Sequence, residues 1–162
     1  MRVWRICKAI YAGRSFLGEG GLIAPARWHH SGHRIVYTAQ SLALAALETW
    51  VHVEPAKPLP TYITIFAEIP DDLVVHMIEE PSLPRDWRRA EPQPALRNIG
   101  TEWLVSRRTT VARVPATTVP GEFSYLLNPE HRDFARIYQG EAQPFRFDRR
   151  MWKVSEPRAE SS

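Results

Sequence analysis

The alternation of apolar and polar positions divides most of the chain into short elements. Residues 2–10 (RVWRICKAI) alternate at the period of a half-buried strand. From Tyr11 to Ala26 that pattern is broken by Gly13, Gly18, Gly20 and Gly21, and the stretch reads as a loop. His33 to Thr38 (HRIVYT) is a short β-branched and aromatic run, suited to a strand. Leu42 to Val51 is rich in Ala and Leu, with Leu44, Leu47 and Val51 at helical spacing and either Ser41 or Thr38 able to cap the first turn. This helix is apolar nearly all round, which predicts that it is buried. Pro55, Pro58 and Pro60 end it.

Residues 61–69 (TYITIFAEI) carry the clearest strand pattern, and LVVHMI (73–78) reads as another. Residues 79–98 are proline-rich and charged and read as loop, with Arg85, Arg88 and Arg89 forming a local basic spot. A short helix is expected over 98–106, capped near Thr101, followed by strands over 109–114 and 121–128. PEHRDFARI (129–137) reads as a turn or short helix, and FRFD (145–148) suits a closing strand. The total is about six to eight short strands and two or three helices, without a regular strand–helix rhythm. That predicts an α+β fold with a curved or split, mainly antiparallel sheet, its strands bounded by prolines. The expected organisation is one domain over 1–154 and a frayed tail over 155–162.

Composition narrows the class without naming the chemistry. At 162 residues and 44% hydrophobic, with six Trp, six Phe and five Tyr, the chain can bury a real core. A net charge of +3 helps it meet an anionic ligand but is too small to indicate nucleic acid. Cys7 is the single cysteine, so no internal disulfide forms. No run reaches the roughly 20 apolar residues that span a bilayer. The N-terminus lacks the apolar stretch of a secretory leader, and a cytoplasmic location is expected.

Three side chains stand out around the second strand. Arg27 precedes it, Tyr37 lies near its end, and Glu48 sits on the helix that follows. An arginine, an aromatic and a carboxylate held together could grip a charged nucleotide and stabilise a cation forming beside it. A carboxylate within an apolar helix is costly unless it is paired, functional or turned to solvent, and Glu48 has no Lys or Arg three or four residues away. Arg27 could equally be a surface arginine and Tyr37 a packed strand aromatic. The cluster His29, His30 and His33 lacks the convergent spacing of a metal site, so no metal is expected. FLGEGG matches neither phosphate-binding glycine motif.

ARWHHSGHRIVYTAQSLALAALETWVHV resembles the signature of the RES-domain family, a glycine-rich lead, an Arg-aromatic pair, a strand ending in Tyr, and a helix bearing Glu. IPDDLVV, LPRDW, IGTEWLVSRRTTVARVP, FSYLLNPEHRDF and FRFDRR follow in the family's order, so the likeness runs from about Val3 to Arg150. The resemblance implies a toxin of a type II toxin–antitoxin pair, with a fold similar to the diphtheria-toxin-like ADP-ribosyltransferases. It implies NAD as substrate, no metal, and an Xre-like antitoxin that covers the active site; nucleic acid enters only through that antitoxin. Within the family some members destroy NAD by hydrolysis or phosphorolysis, and others transfer ADP-ribose to a protein, including an enzyme of nucleotide metabolism. A degenerate member would be an inactive interaction module.

By that resemblance Glu48, Arg27 and Tyr37 are the catalytic residues, and Arg27, Trp28, Tyr37, Asn128 and Thr117 bind NAD. This chain departs from the family pattern at two places. His29 stands where the family commonly has Asn, and Ala116 stands where it has Ser. The second departure leaves a neighbouring threonine, Thr117 or Thr118, to supply a hydroxyl, and favours transfer to a protein over NAD destruction.

Overall fold

The computed structural model describes residues 1–54, 59–91 and 93–152. Pro55, Pro58 and the expected tail over 155–162 lie outside the described residues. Eight strands form one sheet: β1 (Arg2–Lys8), β2 (Val36–Ala39), β3 (Tyr62–Glu68), β4 (Val75–Met77), β5 (Val111–Pro115), β6 (Phe123–Leu127), β7 (Tyr138–Gln139) and β8 (Gln143–Phe145). Their order is β4-β5-β6-β2-β1-β3-β7, with β8 also on β3. Every pairing is antiparallel except β4 with β5. The helices are α1 (Gly20–Ile23), α2 (Leu42–Trp50) and α3 (Pro94–Ser106). This is the α+β arrangement that the irregular mixture of strand and helix patterns implies.

The sheet has a seam. β1 and β3 pair along seven positions, from Arg2↔Glu68 to Lys8↔Tyr62, and β2 pairs with β6 along its whole length. Between β1 and β2 the register contains only Trp4↔Ala39. The Arg5 guanidinium crosses this opening and donates from Nη1 to the Tyr37 carbonyl at 2.8 Å. Its Nε is buried with no partner among the described residues, a cost that an arginine in a fully paired sheet would avoid. Burial lowers its pKa.

α2 lies across the seam's edge. Ser41 caps it as expected, its hydroxyl accepting from the Leu44 amide at 3.0 Å. Only Leu44 and Ala45 are buried, where they pack with Ile6, Ala39 and Ala116. Leu47 and Val51 are 39% and 59% exposed, so the helix is not buried all round. Its composition overstated its burial, because only one side meets the sheet. Glu48 follows Leu44 and Ala45 by four and three residues and projects from that same side, one turn farther on.

α3 begins at Pro94, earlier than the loop-like composition suggests, with Pro at the first helical position where its missing N–H costs nothing. It closes a second core of Trp28, Ile35, Trp87, Leu96, Trp103, Leu104 and Leu126. Gly100 sets its distance from the loop after α1, since a Cβ there would stand 1.8 Å from the Trp28 carbonyl oxygen. Other boundaries shift by a few residues, and the two-residue strand β7 was not expected from the pattern.

The close approach at position 100 is testable. Gly100→Ala should destabilise the protein by at least about 2 kcal/mol, read from the midpoint of urea unfolding.

Candidate active site

β2 carries Tyr37 towards α3, and the loop from Ala24 to His30 folds back over it. An isolated bridge between Ala26 and His29 tightens this loop. Arg97 of α3 donates to the Ala26 carbonyl at 3.2 Å, and Thr101 accepts from the His30 amide at 3.0 Å. His30 also meets the Asn98 side chain at 2.7 Å. The loop is therefore held by helix α3 on one side and by the Tyr37 side chain on the other.

The Tyr37 hydroxyl is the anchor. It accepts from the Trp28 amide at 3.2 Å and lies 2.8 Å from His29 Nδ1. His29 is 2% exposed and its Nε2 lies 3.1 Å from the Ala24 carbonyl, which can only accept. Nε2 therefore carries the ring proton, and Nδ1 accepts the proton of the phenol. Burial first of all lowers the His29 pKa; the Ala24 carbonyl opposes that fall, and the neighbouring charges of His33, Arg97 and His30 add to it. Burial raises the pKa of Tyr37, so the phenol stays protonated.

Arg27 extends from the same loop. Nη1 donates to the Trp87 carbonyl at 2.8 Å and Nη2 to the Arg89 carbonyl at 2.9 Å. These bonds fix the guanidinium by neutral acceptors, leaving its charge uncancelled and further N–H groups free for a ligand. Burial lowers its pKa, and the charges of Glu48 first and Tyr37 second oppose that fall. All three residues singled out in the sequence thus share one electrostatic neighbourhood.

Glu48 receives a hydrogen bond from the Thr118 hydroxyl at 2.8 Å. Thr118 follows β5, across the seam from the strand on which α2 rests. Of the two neighbouring threonines, Thr118 makes this bond to Glu48, and none is seen for the Thr117 hydroxyl among the described residues. Ala116 itself is 1% exposed and packs with Ile6, Leu44 and Ala45. A serine there would place its hydroxyl in that cluster, beside the helix that bears Glu48.

Two other expected ligand-binding residues are occupied elsewhere. Trp28 is 3% exposed and packs against Trp87, ring centroids 6.4 Å apart, so it supports the loop from beneath and offers no free face. Asn128 is 1% exposed; its amide donates to the Leu104 carbonyl at 3.0 Å and its oxygen accepts from the Glu130 amide at 3.0 Å. It ties the end of β6 to the last turn of α3. Both are structural in this chain.

The sequence marked Arg88 only as one of three arginines in a local basic spot. It stacks over Trp87 at 4.5 Å, pairs with Glu80, and reaches the Ala116 carbonyl at 3.4 Å. Arg27, which bonds the carbonyls of Trp87, Arg89 and Ala90, and Arg88 together fix residues 87–90 beside the site. A cavity of about 480 Å³ opens at the other end of β5, beside Thr110, His131 and Arg136, away from Glu48. Among the described residues no group of His, Cys, Asp and Glu could hold a metal ion, and no helix is long and apolar enough to cross a membrane.

The RES domain family matches residues 2–148. The chain belongs to this family. Toxin Res of Yersinia enterocolitica is 36% identical over 154 residues, covering 93% of this chain and 99% of that protein. A protein of Sphingobium sp. named Prs ADP-ribosylating toxin is 35% identical over 156 residues, covering 91% of this chain and 94% of that one. A chain in the crystal structure of the M. tuberculosis MbcT–MbcA toxin–antitoxin complex superposes with a TM-score of 0.71 at 15% identity, covering 89% of this chain and 83% of that chain. At that identity the likeness establishes the fold. This RES domain is thus built as a curled sheet with few helices, in a family whose named relatives here are toxins.

The anchor at the centre of this RES domain can be removed with one oxygen. Tyr37→Phe should leave the buried Trp28 amide and His29 Nδ1 unpaired, costing about 1–3 kcal/mol. Urea denaturation of the two proteins at neutral pH measures it.

Proposed function

We propose that this RES domain cleaves NAD at the nicotinamide–ribose bond and transfers the ADP-ribose to a cellular protein. The observation that carries this reading is the Glu48 carboxylate, oriented by Thr118 and lying within the field of a fixed Arg27 beside Tyr37. The name of the Sphingobium relative supports a protein as acceptor. The antitoxin in the complex that shares this fold supports an antitoxin as partner.

The chemistry follows from the substrate. NAD carries a cationic nicotinamide on C1′ of ribose. As that bond breaks, its electron pair leaves with nicotinamide and positive charge builds on the ribose ring, as in glycoside cleavage. A carboxylate aimed at that charge stabilises the transition state more than the ground state. The Thr118 hydroxyl holds one Glu48 oxygen and leaves the other for the ribose or for the incoming nucleophile. That nucleophile forms the new bond to C1′ and gives its proton to the carboxylate.

Arg27 supplies N–H donors to the pyrophosphate, for which a planar guanidinium fits better than an ammonium. The hydroxyl of Tyr37 is spent on the loop, so its contribution to the ligand is its ring face, against which nicotinamide would stack. No metal is needed, because the charge that develops is positive and the group that meets it is a carboxylate.

Incubation with NAD labelled in the adenosine half tests the reading. The expected result is nicotinamide release with label retained on a protein of the lysate. Label recovered as free ADP-ribose or its phosphate would point to NAD destruction instead, and absence of nicotinamide release would defeat the proposal. Glu48→Gln should lower release at least about a hundredfold with the fold intact. Thr118→Val removes a charge-assisted hydrogen bond of about 1.5–3 kcal/mol and should slow release roughly ten- to a hundredfold.

A further inference from the structure

We infer that His29 is a positioning residue: through the Tyr37 hydroxyl it sets the loop that presents Arg27, and it does so only as the neutral Nε2–H tautomer. The inference rests on reading the cleft as the NAD site, and the tautomer can be checked without NAD.

The geometry leaves the ring one arrangement. Nε2 faces the Ala24 carbonyl at 3.1 Å, which fixes it as donor. Nδ1 faces the Tyr37 hydroxyl at 2.8 Å, and that hydroxyl is also the acceptor for the Trp28 amide. The phenol has a single proton, and the only acceptor here for it is Nδ1. Gly21 closes the other side: a Cβ there would stand 3.0 Å from Nε2 and 2.3 Å from the His33 carbonyl oxygen. The imidazole is 2% exposed and lies close to the Gly21 backbone, and among the described residues each nitrogen has one hydrogen-bond partner.

Protonation breaks this arrangement. A proton on Nδ1 turns the acceptor into a donor, so the Tyr37 oxygen would face two N–H groups and its own proton would have no partner. Burial and the charges of His33, Arg97 and His30 resist that proton, while the Ala24 carbonyl favours it without outweighing them. Arg27 is two residues away in sequence and depends on the same loop for its approach to the cleft.

The sign of the pH effect follows. His29 has a lowered pKa in the folded protein, so its contribution is complete above the ordinary histidine value of about 6.5. As pH falls below that value the unfolded chain takes up the proton first and stability declines; activity declines when the folded ring itself charges. The loop then loosens, and the first effect is on NAD binding through Arg27.

Comparison of the intact protein with His29→Asn and His29→Leu decides the matter. Asparagine offers an oxygen to the Tyr37 hydroxyl and does not titrate; leucine offers nothing. Nitrogen-detected NMR of His29 without NAD should show the proton on Nε2. Nicotinamide release by the wild type should show KM rising on the acid side with less change in kcat. His29→Asn should keep release at pH 7.5 within about threefold and lose that acid rise in KM, while His29→Leu should raise KM at least about tenfold at every pH. The Trp28 amide resonance should move in His29→Leu and hold in His29→Asn, which reads the loop even if NAD is not the substrate. A proton on Nδ1, or an acid rise in KM unchanged in His29→Asn, would overturn the inference. A wild type that releases no nicotinamide defeats the proposed function, and the NMR results still decide the role of His29.

Discussion

A single buried hydroxyl organises this molecule's cleft. The Tyr37 phenol stands at the end of a strand held firmly by β6, and from that rigid base it takes one hydrogen bond from Trp28 and gives one to His29. The loop that bears Arg27 has little regular structure of its own, yet a long flexible side chain cannot direct charge from a wandering backbone. Fixing the backbone first removes the conformational entropy that ligand binding would otherwise have to overcome. Because burial raises the Tyr37 pKa, the bond persists through neutral and moderately alkaline pH.

The two charges of the cleft are held by different means. Arg27 is oriented by backbone carbonyls, which fix direction without neutralising it. Glu48 is oriented by a threonine hydroxyl, which likewise leaves its charge in place. Direct pairing between them would have satisfied both and left little field for a ligand. Arg88, by contrast, is paired with Glu80 and stacked on Trp87, the pattern of a structural strut. The distinction between a charge kept available and a charge consumed separates these two arginines, although they lie on adjoining loops.

Much of the fold was legible in local pattern. The β-branched alternation of residues 61–69, the Ser41 cap and the Ala/Leu run after it led to elements within a residue or two of those observed. What eluded the sequence depends on distant partners. Nothing near Thr118 says that its hydroxyl meets a carboxylate 70 residues earlier in the chain. The burial of Trp28 follows from Gly100, far downstream, and that of Ala116 from α2. Asn128 was expected to bind the ligand only through the family resemblance; both of its ends are claimed by backbone groups. His29 was visible as a departure from the family pattern, but its meaning required seeing that both its nitrogens are engaged.

The seam between β1 and β2 divides the cleft as well as the sheet. Tyr37 and the Arg27 loop belong with β2, β6 and α3; α2, which bears Glu48, lies mainly against β1. Across the joint run one register pair, the Arg5 bond to the Tyr37 carbonyl, the Thr118 bond to Glu48 and the apolar cluster of Ile6, Ala39, Leu44, Ala45 and Ala116. Because the ladder is thinnest at this line, the gap between guanidinium and carboxylate rests less on backbone pairing than on these side-chain bonds and on the packing of Leu44 and Ala45 in that cluster.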